Sequence, residues 1–123
     1  MSRTIMVVDD EPDILLTVRV NLQLAGFQVV SVESGEEALT ALRSDRPDLL
    51  VLDIRLPGID GWEVLRSLRQ DPQLRDLPVV VLSAHASPGS ADRAQGLGAR
   101  AYVTKPFRPD DLSRTIQALL DHT

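Results

Sequence analysis

The sequence predicts a single α/β domain in which a parallel β-sheet is covered by helices on both faces. Runs of apolar residues without polar alternation, typical of strands buried on both faces, recur along the chain. Each run is followed by a segment with apolar residues at helical spacing, which gives five strand–helix alternations. Right-handed crossovers turn such alternations into a doubly wound sheet. At 123 residues the chain has the length of one domain, which we expect to span residues 1–123.

The first two strand–helix units follow this pattern. A strand is predicted at Thr4–Val8, and the helix after it begins at Pro12, because proline is tolerated in a first turn, and ends at Gly26. The second strand is predicted at 27–32. Ser34, three residues before a glutamate, forms a capping box that predicts the start of the second helix.

The third and fourth units are less uniform. The strand at Leu49–Asp53 is four apolar residues followed directly by a carboxylate, and a Pro-Gly turn comes soon after it. Asp60, three residues before a glutamate, predicts the start of the third helix. The fourth strand is predicted at 79–82, and the helix after it, at 89–97, has the weakest apolar pattern of the five. Its inner face offers only Ala91, Ala94 and Leu97.

The last unit closes the predicted domain. A strand is predicted at Ala101–Thr104, and Pro109 opens a final helix. The apolar positions of this helix are Leu112, Ile116, Leu119 and Leu120. Because the helix runs almost to Thr123, we expect no room for an attached output domain after it, although a domain taken from a longer protein would look the same.

Composition excludes several kinds of function. The net charge is −5 and the basic residues are scattered, whereas binding to a nucleic-acid backbone needs clustered cations. The chain has no cysteine, which excludes disulfides and thiolate sites. The first apolar run is interrupted at Asp9 and is too short for a signal peptide or a membrane span. We therefore expect a cytoplasmic protein that contacts neither nucleic acid nor membrane directly.

Polar groups that could carry chemistry follow four of the predicted strands. Asp9 and Asp10 follow the first strand, and Asp53 ends the third. Ser83 follows the fourth strand, and Lys105, the only lysine among 13 basic residues, follows the fifth. The ends of parallel strands lie at one edge of a sheet, where α/β proteins bind their ligands. Asp53 alone could simply cap the next turn, but together these side chains predict a site.

The charges of these groups favour a hard divalent cation. Three carboxylates and one ammonium leave a formal excess of two negative charges, which a divalent cation neutralises. Because the set contains only oxygen ligands, it favours Mg²⁺ over zinc. Mg²⁺ keeps open positions that phosphate oxygens can fill, and the Ser83 hydroxyl and the Lys105 ammonium could then bind the same phosphoryl group.

Four sequence motifs resemble the receiver domain of two-component response regulators. They are residues 6–11 (MVVDDE), 52–61 (LDIRLPGIDG), 81–84 (VLSA) and 102–107 (YVTKPF). The resemblance covers essentially the whole chain in the correct order. It implies a flavodoxin-like sheet with the strand order 2-1-3-4-5. It also implies a phosphorelay protein that is not an enzyme in the usual sense, but promotes its own phosphorylation and dephosphorylation.

The resemblance assigns a role to each candidate residue. Asp53 is implied to be the phosphoacceptor, which takes a phosphoryl group from a phosphohistidine of a sensor histidine kinase or a phosphotransfer protein. Mg²⁺, with Mn²⁺ or Ca²⁺ as substitutes, is implied to be bound by the side chains of Asp9, Asp10 and Asp53 and the backbone carbonyl of Arg55. Phosphoryl binding and switching are implied for Ser83, the backbone of Ala84, Lys105 and Tyr102. A cis peptide bond is implied before Pro106.

The implied output is a switched surface that binds a downstream protein or an attached effector domain. Members of the family that dimerise through the fourth helix, fifth strand and fifth helix often carry two aspartates before the aromatic switch residue. Here these positions are Arg100 and Ala101, and Arg114 lies two residues after Leu112 rather than three. These differences disfavour this particular dimer and leave the oligomeric state open.

Competing interpretations fail at particular positions. A haloacid dehalogenase-type phosphatase needs a second aspartate two residues after the nucleophile, where this chain has Arg55. A flavodoxin-type flavin binder would need a phosphate loop where residues 9–11 are acidic. A receiver-like adaptor that is never phosphorylated usually lacks part of the acidic set, the Ser/Thr or the lysine, and this chain lacks none of them.

Four further features suggested weaker functional interpretations. Residues 96–101 match a dinucleotide fingerprint, but they lie between a helix and a strand instead of between a strand and a helix. We expect Gly98 to end the fourth helix. His85 and His122 are isolated and are expected at the surface, and Trp62 is expected to pack partly exposed near the site.

Overall fold

The computed structural model describes residues 2–84 and 88–121, which form the predicted α/β architecture. The elements in chain order are β1 (Thr4–Val8), α1 (Pro12–Leu24), β2 (Gln28–Val32), α2 (Gly35–Ser44), β3 (Leu49–Asp53), α3 (Gly61–Gln70), β4 (Val79–Ser83), α4 (Pro88–Gly96), β5 (Ala101–Thr104) and α5 (Pro109–Asp121). All strand pairs are parallel, and the strand order is β2-β1-β3-β4-β5. The predicted flavodoxin-like sheet and its strand order are confirmed.

Apolar side chains of the sheet pack in two layers because alternate residues of a strand point to opposite faces. In β3, Leu50 and Leu52 pack beneath α2, α3 and α4, whereas Leu49 and Val51 pack beneath α1 and α5. All five residues of β3 are buried. The unbroken apolar run that predicted a central strand therefore reflects burial on both faces.

Local sequence signals set the starts of two helices. The Ser34 hydroxyl accepts a hydrogen bond of 3.1 Å from the backbone N–H of Glu37, and the Asp60 carboxylate accepts one of 3.0 Å from that of Glu63. Both are N-cap contacts that satisfy a helix-end donor. In the described part of the chain, no helix combines the length and the apolar character needed to cross a membrane.

Three boundaries differ slightly from the prediction. β2 begins after Phe27, because the Phe27 N–H bonds the Leu22 carbonyl at the end of α1 and not a neighbouring strand. β4 extends to Ser83 because that residue pairs with Thr104 of β5. α4 spans Pro88–Gly96 instead of 89–97.

The end of α4 is a Schellman motif. Gly98 has a φ of +87°, a backbone conformation that favours glycine. Its N–H bonds the Gln95 carbonyl, and the N–H of Ala99 bonds the Ala94 carbonyl, at 2.9 Å each. Gly98 therefore ends the helix, as the sequence predicted.

Candidate functional site

The register of the sheet brings the candidate side chains to one edge. Asp53 is the last residue of β3 and Ser83 the last residue of β4. Asp9 and Asp10 directly follow β1, and Lys105 directly follows β5. Because all these strands are parallel, these residues lie together at the carboxyl edge of the sheet.

Two of the carboxylates are buried and are fixed by the backbone. Asp9 is 0% exposed and Asp53 is 2% exposed. In each case one oxygen accepts a hydrogen bond from the N–H two residues further on: Glu11 N–H to Asp9 Oδ1 at 2.9 Å, and Arg55 N–H to Asp53 Oδ1 at 3.1 Å. These Asx-type turns leave the second oxygen of each carboxylate for other partners.

Lys105 binds those second oxygens. Its Nζ lies 2.8 Å from Asp9 Oδ2 and 3.2 Å from Asp53 Oδ2. A third contact, of 3.2 Å, reaches Glu11 Oε1. The three donors of an ammonium group suit three carboxylates around a single point, whereas the planar fork of arginine does not. The single lysine of the chain thus joins the ends of β1, β3 and β5.

Burial and like charge perturb the ionisation of this group. Burial, and next the negative charge of Asp9, raise the pKa of Asp53 to about 6, against the opposing effects of Lys105 and the Arg55 N–H. For Lys105, burial alone would lower the pKa. The hydrogen bond to Asp9 and the charges of Asp53 and Asp9 outweigh burial and raise the pKa of Lys105 above its usual value.

The acidic groups at this edge fit a hard divalent cation. Among the described residues, carboxylate oxygens of Asp9, Asp10, Glu11 and Asp53 lie within 4.8 Å of one another. Asp10 and Glu11 are exposed, so the cluster is open to solvent on one side. All donors are carboxylate oxygens, the type that Mg²⁺ prefers. The donor set therefore fits the predicted metal.

A glycine lets the loop after Asp53 return closely to the strand. The Gly61 N–H bonds the Ile54 carbonyl at 2.8 Å, which brings the start of α3 against the end of β3. A Cβ at position 61 would lie 2.4 Å from the Asp53 carbonyl oxygen and 2.6 Å from the Ile54 Cα. Only glycine fits here without a shift of the backbone, so this residue helps to shape the loop at the site.

The other predicted residues surround the cluster. Ser83 is buried, and its carbonyl accepts a hydrogen bond of 2.8 Å from the Lys105 N–H. Ala84 and Arg55 are exposed next to the strand ends, and the peptide bond between Lys105 and Pro106 is cis. Tyr102 is half-buried in β5, against the core layer beneath α2, α3 and α4.

One site residue was missed by the sequence reasoning. Glu11 was part of a motif but received no role, although its carboxylate contacts Lys105 and belongs to the acidic cluster. The signal was available, since Asp9-Asp10-Glu11 is a run of three acids directly after a strand. His85 and His122 lie outside the described residues.

The amino-acid sequence is similar to a known domain family and to curated proteins. Residues 5–117 match the sequence pattern of the response regulator receiver domain. The chain is 38% identical to the alkaline phosphatase synthesis transcriptional regulatory protein PhoP of Bacillus subtilis over 120 residues, which are 98% of this chain and 49% of that protein. The chain thus spans about half the length of the curated relatives it matches.

Two solved structures illustrate the structural likeness. The chemotaxis response regulator CheY4 of Vibrio cholerae superposes with a TM-score of 0.90 at 29% identity, over 97% of this chain and 99% of that one. The phosphorylated cyanobacterial phytochrome response regulator RcpA superposes with a TM-score of 0.84 at 30% identity, over 97% of this chain and 91% of that one.

Proposed function

This chain belongs to the response regulator receiver domain family, and from this membership we propose that Asp53 is its phosphoacceptor. The observation that carries the proposal is the environment of Asp53. Its carboxylate is buried at the end of the central strand, 3.2 Å from the Lys105 ammonium and within the acidic cluster. The phosphorylated state of the similar regulator RcpA supports phosphorylation as the activity of this site.

The proposed reaction is phosphoryl transfer from a phosphohistidine of a sensor histidine kinase or a phosphotransfer protein. A carboxylate oxygen of Asp53 forms a bond to phosphorus while the bond between phosphorus and the histidine nitrogen breaks, and the imidazole leaves with that electron pair. Because the pKa of Asp53 is about 6, the carboxylate is mostly ionised and nucleophilic at neutral pH. Hydrolysis of the acyl phosphate by water then restores Asp53, so the protein is a phosphoacceptor rather than a conventional enzyme.

Lys105 and the acidic cluster have complementary roles in this proposal. The Lys105 ammonium, which already faces Asp53 Oδ2, binds an oxygen of the incoming phosphoryl group as a compact positive charge. Mg²⁺ would be held by Asp9, Asp10, Asp53 and the backbone carbonyl of Arg55, with Mn²⁺ or Ca²⁺ as substitutes, and would supply positive charge to the phosphoryl oxygens. Glu11 helps to hold Lys105 in place.

Ser83 and Tyr102 form the proposed switch. They lie on the adjacent strands β4 and β5, which are paired along their length. Ser83 hydrogen-bonds the phosphoryl group, as does the backbone N–H of Ala84, and the Tyr102 ring turns inward as the Ser83 hydroxyl moves toward the site. The surface formed by α4 and β5 then changes and binds a downstream protein or an effector domain.

Partners beyond the phosphodonor are inferred from the relatives. PhoP is described as a transcriptional regulatory protein and is about twice as long as this chain. We propose that any contact with DNA belongs to an effector domain and not to this acidic domain, whose net charge is −5. The dehalogenase-type alternative still has no second aspartate, because Arg55 occupies that position. The cytoplasmic location predicted from the sequence stays a prediction.

Intact mass after incubation with acetyl phosphate and Mg²⁺ tests the phosphoacceptor. We expect the wild type to gain the mass of one phosphoryl group. We expect no gain in mass when Mg²⁺ is chelated before the reaction, and none in Asp53→Asn. Asp60→Asn, which removes another acid from the same loop, should still be phosphorylated. A phosphoryl group on Asp53→Asn would contradict the assignment, and an unmodified wild-type protein would instead favour the adaptor that is never phosphorylated.

A further inference from the structure

Helix α4 is attached to the domain by little apolar surface. In its described part, Ala94 is the buried hydrophobic residue, and Leu97 just beyond the helix is half-buried. The neighbouring α3 buries the larger side chains of Val64, Leu65 and Leu68. Since apolar stabilisation scales with the area buried, α4 needs other contacts to hold its position.

An arginine of α3 binds the carbonyl groups at the end of α4. Arg69 Nε donates a hydrogen bond of 2.7 Å to the Leu97 carbonyl, and Nη2 donates one of 3.3 Å to the Gly98 carbonyl. The same guanidinium lies 3.4 Å from the Leu77 carbonyl, before β4. Carbonyl groups at a helix C-terminus lack partners within the helix and carry partial negative charge, so a cation there is favourable. Burial, and next the charge of Arg100, lower the pKa of Arg69, as expected for a guanidinium removed from solvent.

A second arginine, on α4 itself, reaches back to α3. Arg93 Cζ lies 4.2 Å from the ring centroid of Trp62, within the range of a cation–π contact. Trp62 lies in the first turn of α3 and lines a cavity of about 570 Å³ together with Asp10 and Arg55. The Arg93–Trp62 contact therefore joins α4 to the rim of the candidate phosphorylation site.

We propose that Arg69 and Arg93 are positioning residues that hold α4 against α3 in the unphosphorylated domain and oppose its movement when Asp53 is phosphorylated. This inference rests on the proposed function, because it concerns how the same site controls its output. Arg69 fixes the C-terminal end of α4, and Arg93 fixes its side facing the site. Polar contacts thus replace the apolar burial that α4 lacks.

The Arg93–Trp62 contact should change the affinity of the site for a phosphoryl mimic by a measurable amount. A contact made only in the unphosphorylated arrangement lowers the population of the switched arrangement, and so lowers the apparent affinity for any ligand that prefers the switched arrangement. Removal of the Arg93–Trp62 contact should therefore tighten the binding of a phosphoryl mimic. The expected change is about two- to fivefold, which corresponds to a cation–π contact at a partly exposed site.

Two measurements on Arg93→Gln test the inference. The first is amide hydrogen exchange of the unphosphorylated protein, in which residues 88–102 should exchange faster than in the wild type. The second is a titration with beryllofluoride in the presence of Mg²⁺, followed by the fluorescence of Trp62, the only tryptophan. The midpoint should fall by about two- to fivefold. Arg93→Lys, which keeps a cation, should lie between the two proteins in both measurements.

The controls separate this inference from the proposed function. Arg66→Gln removes an exposed arginine of the neighbouring helix α3 and should behave as the wild type in both measurements. If the wild type binds beryllofluoride but Arg93→Gln has the same midpoint and the same exchange, the role of Arg93 is overturned and the phosphoacceptor stands. If the wild type neither binds beryllofluoride nor gains mass from acetyl phosphate, the proposed function fails, and with it the inference.

The role of Arg69 is tested in the same way. Arg69→Lys cannot span several carbonyls, so it should speed amide hydrogen exchange at residues 94–99 more than Arg66→Lys does.

Discussion

At the scale of single residues, the site is a balance between one ammonium and four carboxylates. Lys105 contacts Asp9, Glu11 and Asp53, and Asp10 completes the cluster, so a formal excess of three negative charges remains. Burial raises the pKa of Asp53 most, and the negative charge of Asp9 raises it further, because Asp9 disfavours a second buried charge nearby. The same excess makes the cluster suitable for a divalent cation. In the proposed function, a nucleophile that must stay ionised and a metal site would thus share one set of charges.

The raised pKa of Asp53 predicts how the stability of the metal-free protein depends on pH. The folded-state pKa of about 6 exceeds the ordinary value of 3.8, so folding favours the protonated form. The resulting contribution to stability is present in full below pH 3.8 and is lost as the pH rises through about 6. In Asp53→Asn this contribution cannot titrate. We measure the free energy of unfolding with urea in the presence of a chelator. The value for Asp53→Asn minus the value for the wild type should therefore increase between about pH 4 and pH 7.

The control for this prediction is Asp92→Asn, which removes an exposed carboxylate from α4. Its pH profile should run parallel to that of the wild type. If the profile of Asp53→Asn also runs parallel to the wild type, the carboxyl group of Asp53 titrates in the folded protein as it does in the unfolded chain, and the electrostatic description of the site is wrong.

At the scale of secondary structure, the features that can be predicted from the sequence are those that depend on contacts between residues close together in the chain. The helix starts at Ser34 and Asp60 follow from side chains that bond the backbone three residues away, and such contacts are visible in the sequence. The contacts of Arg69 with Leu97 and Gly98 span 28 and 29 residues and depend on how α3 and α4 pack. Such contacts, like that between Glu11 and Lys105, have no local signature. The weak apolar pattern of α4 was visible, but the arginines that compensate for it were not.

Two glycines in helices should respond in opposite ways to substitution by alanine. At Gly61, the first residue of α3, a Cβ would collide with the backbone of Asp53 and Ile54, so we expect Gly61→Ala to destabilise the domain by about 1–3 kcal/mol. At Gly96, in the last turn of α4, a Cβ would meet no atom within 4 Å. Gly96→Ala should therefore be neutral or stabilise by up to about 1 kcal/mol, because alanine is the better helix former. Urea unfolding of both variants checks this, and a loss of the same size in each would contradict it.

At the scale of the whole molecule, the fold itself creates the electrostatic problem that a metal would solve. Asp9 and Asp10 follow β1 and Asp53 ends β3, more than 40 residues later, so only the folded sheet holds these carboxylates together. Two carboxylates about 4 Å apart repel by about 4 kcal/mol at an effective dielectric constant near 20. Lys105 relieves part of this repulsion in the folded state, and the rest vanishes on unfolding. The free energy of unfolding of the metal-free domain is therefore lowered by its own site.

Mg²⁺ should stabilise the whole domain, since the acidic cluster exists only in the folded state. At about 100 times its dissociation constant, a ligand that binds only the folded state adds roughly 2.7 kcal/mol. For a domain of this size the melting temperature should then rise by an amount on the order of 10 °C. Asp10→Asn removes one exposed member of the cluster, so without metal it should melt above the wild type, and it should lose most of the Mg²⁺ response.

The control for this prediction is Asp13→Asn, a change of the same kind in the first turn of α1, which should keep the full Mg²⁺ response. Thermal melts of the three proteins with and without millimolar Mg²⁺ measure both effects. If metal-free Asp10→Asn melts below the wild type and still responds fully to Mg²⁺, the metal is bound elsewhere and the proposed acidic site is wrong.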